Sequence, residues 1–176
     1  ETLVTSARQI NFWAKKGAVG AVLAREVPFE EMAVMEPALE IPVEVQVYGA
    51  TCIHQSKRPL LENYYRYTHQ EEGVAKERGL FLSDPQDENT HYSIFEDDHG
   101  THIFATNDLS LVKELGELAQ AGFTTWKLDG LFTCGKDFVA ICQLFAQAKT
   151  AIESGTWNTE LAETLANDVA SHHPKE

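Results

Sequence analysis

Cysteine is scarce in this chain, and the three present (Cys52, Cys134 and Cys142) have no paired spacing. An odd, irregular set excludes a disulfide framework as the organising device and points to reduced thiols in a reducing, cytoplasmic compartment. Basic residues are also few: 14 Lys and Arg against 27 Asp and Glu give a formal net charge of -13. Such a balance opposes nonspecific binding to nucleic acid phosphates, so contact with RNA would need a positive surface from other sequence or from a partner chain. No run approaches the ~18 apolar residues of a membrane span, and no basic segment followed by an apolar stretch marks a signal peptide, so no membrane partner is expected. Internal repeats and low-complexity segments are absent as well. The chain opens on Glu1 without a methionine, so its natural N-terminus is expected to lie upstream.

What is present suits one globular domain with a real core: 176 residues, 43% hydrophobic and 23% charged. Ile10, Trp13 and Ala14 share one face of a predicted helix that ends at Gly17. Residues 18–24 (AVGAVLA) read as a buried strand, and Pro28 opens a helix with Glu30 and Glu31 in its first turn, which ends before Pro42. A second strand at 43–48 (VEVQVY) closes at Gly49. Residues 57–68 look helical, 69–79 irregular, and 91–106 form a β-hairpin about Asp97-Asp98-His99-Gly100. Then Asn107 or Asp108 caps a helix through Ala121, 123–128 is a strand, 136–153 a long amphipathic helix, and 158–170 a last helix before a frayed tail. The alternation of strand and helix predicts an α/β fold with parallel strands and crossover helices. Three βα units and a possible strand at 2–5 are too few for a closed barrel of eight; they could make an open sheet or part of a larger barrel.

Polar residues recur where strands end: Arg25-Glu26, Gly49 to Cys52, and Lys127 to Asp129. In a βα-barrel those ends face the active site; the plain alternative is ordinary loop polarity and an Arg–Glu ion pair. Cys52 follows a small-residue turn and has His54 two residues on, a nucleophile and base by type, although a small buried thiol is the more common use of cysteine. Asp97, Asp98, His99 and His102 are metal-ligand types in a compact cluster, yet a tight turn explains them without a metal, and none is assigned. Tyr64, Tyr65 and Tyr67, with Arg66 among them, could stack on bases or form a core stripe.

Residues 44–64 (EVQVYGATCIHQSKRPLLENY) resemble peptidase family U32, the collagenase-like peptidases. Glu44, Gly49, Ala50, Cys52 and Leu61 match its signature, and Asn63-Tyr64 follows as it often does there. LAREV at 23–27, EDDHGTHIFATNDL at 96–109 and WKLDG at 126–130 also look like family segments in order and spacing. The resemblance implies a partial (β/α)8, TIM-type barrel: its C-terminal half over 1–155 with the hairpin inserted around 91–106, then a terminal helix and tail over 156–176. The departures are Gln46 for the signature Phe, Lys57 for a second Gly, Pro59 for a second Cys and Glu62 for a Ser. Many relatives that hydroxylate RNA or ubiquinone hold an iron–sulfur cluster on four cysteines; here the first matches Cys52, the second falls at Pro59, the fourth at Ser110, and the third has no counterpart among 69–90. A cluster-less type is therefore expected, with no cofactor of its own.

The resemblance implies two roles. In one the chain is a subunit or partner in prephenate-linked hydroxylation of a tRNA wobble uridine, with Arg25, Arg58, Asn63 and Lys127 as candidate substrate-binding residues. In the other it is a peptidase drawing on Glu26, Glu44, Cys52, His54 and Asp129. A third reading is a scaffold for a catalytic paralogue. A half-barrel exposes strand edges and an inner face, so the expected partners are the preceding half of its own chain, a second copy or a paralogue, with tRNA contacted through the partner.

Overall fold

The computed structural model describes residues 3–70 and 79–173, the side chains of residues 88 and 89 excepted. In chain order the elements are α1 (Ala7–Ala14), β1 (Ala21–Val22), α2 (Phe29–Met35) with a 3-10 turn (Glu36–Ala38), β2 (Val43–Gly49), β3 (Cys52–Ser56) and α3 (Leu60–Thr68). They continue with β4 (Phe81–Asp84), β5 (Asp87–Asp97), β6 (Gly100–Phe104), β7 (Leu109–Ser110), α4 (Leu115–Gln120), β8 (Thr125–Leu128), α5 (Gly135–Glu153) and α6 (Thr159–His172). Two compact units result: Glu1–Gly49 with Ser110–Glu176, and Ala50–Leu109.

The first unit is a parallel sheet backed by helices. β2 lies between β1 and β8 and runs parallel to both, with Glu44 opposite Val22 on one edge and opposite Thr125 on the other. The short β7, where the chain returns to this unit, completes the sheet. Side chains alternate across β2: Val43, Val45 and Val47 are buried, whereas Glu44 and Gln46 are half-buried. Register places Trp126 beside Val45 and Lys127 beside Gln46. One face thus joins a core with Met32, Leu115, Ile141, Phe145 and Leu165 from the helices. Each such side chain contributes roughly 1.5–3 kcal/mol on burial. The other face carries Val22, Glu44, Gln46, Thr125 and Lys127, none of them fully buried.

Local signals account for most of the helices. Ser6 caps α1 by accepting from the Gln9 amide at 3.4 Å, and Asn158 caps α6 by accepting from the Leu161 amide at 2.9 Å. Ile141, Phe145 and Ala148 recur at helical spacing on α5 and are buried. The predicted helix over 28–41 breaks earlier, at Met35, because Pro37 brings no N–H to extend the ladder. On α1 only Ile10 is buried; Trp13, expected on the same inner face, is 45% exposed. The strand expected over 18–24 shrinks to Ala21–Val22, and Leu3–Thr5 form no strand, although the Val4 carbonyl accepts from the Ala24 amide at 2.9 Å.

The second unit is antiparallel, with strand order β3-β6-β5-β4. The expected hairpin is present, turning between Asp97 and Gly100 and pairing Ile94 with Ile103. Leu61 and Tyr65 of α3 pack on Ile94. Most of the stretch read as irregular, residues 71–78, lies outside the described residues. The α/β class is as expected, with one parallel and one antiparallel sheet; no barrel closes among the described strands. No described helix is long and apolar enough to cross a membrane.

Gly49 ends β2 at φ +109°, and a Cβ there would lie 2.1 Å from the carbonyl oxygen of Asp129. Gly49→Ala is expected to cost about 2 kcal/mol or more, since both the left-handed backbone and the contact oppose a side chain. Urea denaturation checks this; a midpoint equal to that of the parent chain would mean the close approach is dispensable.

Candidate functional site

The predicted site residues fall on both units, five on the first and four on the second. On the first, the strand ends gather Arg25 and Glu26 after β1, Gly49 at the end of β2, and Asp129 after β8. Asp129 is fixed in place: its amide donates to the Tyr48 carbonyl at 2.9 Å, and its Oδ1 accepts from the Leu131 amide at 2.9 Å. Its Oδ2 lies 3.9 Å from Nζ of Lys127, two residues back on β8. Both side chains keep about a third of their exposure, 38% for Lys127 and 31% for Asp129. The arrangement is a cation steered by a carboxylate that has already spent one oxygen on a turn. Glu44 is set apart, because it stands five residue steps before Gly49 on β2, roughly 16 Å at ~3.3 Å per residue.

A buried network beside Gly49 carried no signal in the sequence. The Tyr48 hydroxyl is bonded to Oγ1 of Thr133 at 3.1 Å and to Nδ1 of His173 at 3.0 Å. Next to it His172 Nδ1 reaches Oδ1 of Asp137 at 3.3 Å, so both tail histidines hold the last helix to the strand-end side of the sheet. No motif joins Tyr48 to residues so distant in sequence; only the fold brings them together.

On the second unit Cys52 and His54 do not form a nucleophile–base pair. A register shift sets Cys52 opposite Phe104 and His54 opposite Ile103. Adjacent residues of β6 point to opposite faces, so their partners do too. The Cys52 thiol instead donates to the backbone carbonyl of His54 at 3.3 Å. Arg58 is exposed just before α3, and Asn63 is exposed on it.

The acidic hairpin turn proves to be a clamp. Glu96 Oε2 accepts from the Leu61 amide at 2.7 Å and from Thr101 Oγ1 at 2.8 Å, while Oε1 accepts from the Glu62 amide at 3.1 Å. A carboxylate thus caps the first turn of α3, where free N–H groups and the helix dipole favour negative charge. Asp97 Oδ1 accepts from the His99 amide at 2.8 Å and lies 3.3 Å from Nε2 of His102. The His99 amide holds the Asp97 carboxyl below its ordinary range, the His102 ring adds to this, and desolvation opposes it. Among the described residues no three His, Cys, Asp or Glu side chains converge as a metal site.

These geometries meet clear relatives. The family model for Peptidase family U32 matches residues 1–176, and the chain belongs to that family. Among curated proteins it is similar to tRNA hydroxylation protein P2 of Bacillus subtilis (strain 168), 38% identical over 151 residues, 84% of this chain and 48% of that protein. It is also similar to tRNA hydroxylation protein P of Escherichia coli (strain K12), 22% identical over 89% of this chain and 44% of that protein. A third relative, tRNA hydroxylation protein P1 of Bacillus subtilis (strain 168), is 23% identical over 70% of this chain and 30% of that protein. The chain spans about half the length or less of these relatives. No solved structure matches it significantly.

Removing the clamp carboxylate with Glu96→Ala should destabilise the Ala50–Leu109 unit by about 2 kcal/mol, because three donors lose their acceptor. Faster hydrogen exchange at the Leu61 and Glu62 amides would report it; unchanged protection would refute the clamp. A second outcome concerns pH. A carboxyl with a lowered folded pKa stabilises the turn above its unfolded value and ceases to do so as pH falls through the folded one. The His99 amide resonance should therefore move with an inflection below the ordinary aspartate range, and Asp97→Asn should abolish that inflection.

Proposed function

We propose that this chain serves in hydroxylation of a tRNA wobble uridine, in a prephenate-linked reaction, as a subunit or partner and not as the bearer of the redox centre. The observation that carries the reading is its 38% identity, over 84% of the chain, to a protein named for tRNA hydroxylation. The parallel sheet, with helices on one face and a polar open face, suits part of a TIM-type βα-barrel whose other strands come from further sequence, a second copy or a paralogue. Ligands of such folds bind at the C-terminal strand ends, where Lys127 and Arg25 offer cationic donors to a carboxylate or phosphate. The reading places the protein in the cytoplasm with its tRNA.

Of the family's ligand positions that this sequence covers, only Cys52 is a cysteine, with Pro59 and Ser110 standing at two of the others. The residues present do not fit that group, so the electron chemistry is assigned to another molecule. A peptidase reading lacks a comparable support: its thiol and imidazole leave the sheet by opposite faces, and Glu44 lies far from Asp129 along the strand direction.

Deleting the gene and measuring wobble-uridine hydroxylation in bulk tRNA by mass spectrometry tests the role. Modification should fall and be restored by the parent gene; an unchanged level would discard it. Lys127→Ala should lower the restored level about tenfold, the scale of one charge-assisted hydrogen bond. Iron and sulfide assays on anaerobically purified protein should find no cluster; about four irons per chain would contradict that part.

A further inference from the structure

Lys127 and Asp129 stand together at the strand ends, yet they do not close on each other. A charge-assisted bond between an ammonium and a carboxylate settles at ~2.7–2.9 Å. Here Nζ of Lys127 and Oδ2 of Asp129 are 3.9 Å apart, on side chains that both keep about a third of their exposure. Neither atom makes a hydrogen bond to a described residue. The pair therefore leaves a donor and an acceptor side by side, each with unused bonding capacity.

The carboxylate is not free to close the gap. Its Oδ1 is taken by the Leu131 amide, and the Asp129 amide is bonded back to the Tyr48 carbonyl. Gly49 backs the start of the side chain so closely that a Cβ there would lie 2.8 Å from Asp129 Cβ. Gly130, the next residue, is packed as tightly: a Cβ would meet the Phe138 ring and the Thr133 carbonyl oxygen at 3.0 Å. Thr133 is buried and bonded to the Tyr48 hydroxyl at 3.1 Å, which pins the far side of the same loop. Asp129 cannot swing toward Lys127 without breaking its turn. Lys127 itself stands opposite Gln46, and Glu44 adds a second negative charge to that face of the sheet.

These charges restrict what Lys127 accepts. A bare anion drawn to Nζ brings its negative oxygen up to the Asp129 carboxylate, and like charges at that range repel. A dianion such as phosphate meets more repulsion still, with one ammonium to offset it. A ligand with a hydroxyl beside its carboxylate turns the repulsion into a bond: its carboxylate accepts from Nζ while its hydroxyl donates to Oδ2. We propose that Asp129 is a specificity-determining residue of the strand-end site, and that with Lys127 it selects a small hydroxy acid over a simple carboxylate or phosphate. A site that bonds a hydroxyl rejects the analogue lacking it, because the acceptor is then left facing the anion unpaired. The proposal rests on the reading of Lys127 as the donor to an anion and adds the class of ligand.

Titration of the full 176-residue chain with lactate and with propionate, which differ only in the hydroxyl, tests it by NMR at the Lys127 and Asp129 amides. Lactate should bind about tenfold more tightly than propionate, the scale of one hydrogen bond to a charged group. Inorganic phosphate should bind more weakly than lactate, and Lys127→Ala should abolish binding of both acids. Asp129→Asn keeps an oxygen for the Leu131 amide, so the turn is retained while the charge is removed. That variant should weaken lactate and strengthen propionate, so that the preference disappears. A merely structural role for Asp129 would weaken both acids alike and would overturn the proposal. So would equal affinity of the parent chain for the two acids, no response to either, tighter binding of phosphate, or a Lys127→Ala chain that still binds lactate. The ligand class fails on this titration, whereas the hydroxylation role fails on tRNA from the deletion strain, so the two are separable.

Discussion

The pairing of β2 on both of its edges governs the first unit. With β1 on one side and β8 on the other, its register cannot slip by one residue without driving Val43 and Val45 out of the core and Glu44 and Gln46 into it. That penalty fixes which face meets the helices and which stays open. It also decides where Lys127 goes, since the residue opposite Gln46 must share its face. The same strand sets the geometry of its own end. Gly49 turns away in a left-handed conformation pressed against Asp129, and the Asp129 amide bonds back to Tyr48, so the ends of β2 and β8 are tied by backbone before any side chain acts.

The second unit solves a different problem, that of holding a short helix on a small sheet with a core of few residues. A nine-residue helix is marginal by itself. Glu96 supplies what the apolar contacts lack, bonding two first-turn amides of α3 and the hydroxyl of Thr101, which is 1% exposed. Thr101 in turn accepts from the Leu60 amide and donates to the Arg58 carbonyl as well as to Glu96, sharing its single proton between two acceptors. Residues that look chemically active in sequence, an acidic run with histidines, are thereby mostly consumed in building a turn and seating a helix.

How far the sequence was legible follows from whether a signal was local. β2 and α5 were readable because alternation and a helical stripe each act within a few residues, and α6 lies where a last helix was expected. The hairpin was readable from its turn residues. α4 was not: Asn107 and Asp108 suggest a cap, but the chain first forms β7 and its Leu111 amide donates to Val47, delaying the helix to Leu115. β3 was missed because Cys-Ile-His-Gln-Ser has no clean alternation, and its bulge moves Cys52 and His54 to opposite faces although their spacing predicts one. Among site residues, the contact between Lys127 and Asp129 was implicit in their spacing on a strand, whereas the bond from Tyr48 to His173 spans 125 residues and had no local trace.

Charge and thiol content then bear on the same conclusion from different directions. A chain that performed the oxidation itself would need a cofactor cage, and one that gripped folded tRNA through its phosphates would need a basic face. In this sequence only Cys52 stands as a cysteine at a ligand position of the family, and 14 Lys and Arg stand against 27 Asp and Glu. The structure shows a lysine steered by Asp129 at the strand ends of one unit and exposed tyrosines on α3 of the other. At the strand ends, the role proposed above would be recognition of a small anionic group at close range. Specificity of that kind depends on geometry already set by the backbone, which is why the residues most tightly constrained here, Gly49, Gly100 and Glu96, are not themselves the candidates for contact. Their work is to hold Asp129, the loop before α3 and α3 itself in place, so a defect from substitution at these positions would arise through displacement of neighbours and not through a missing chemical group.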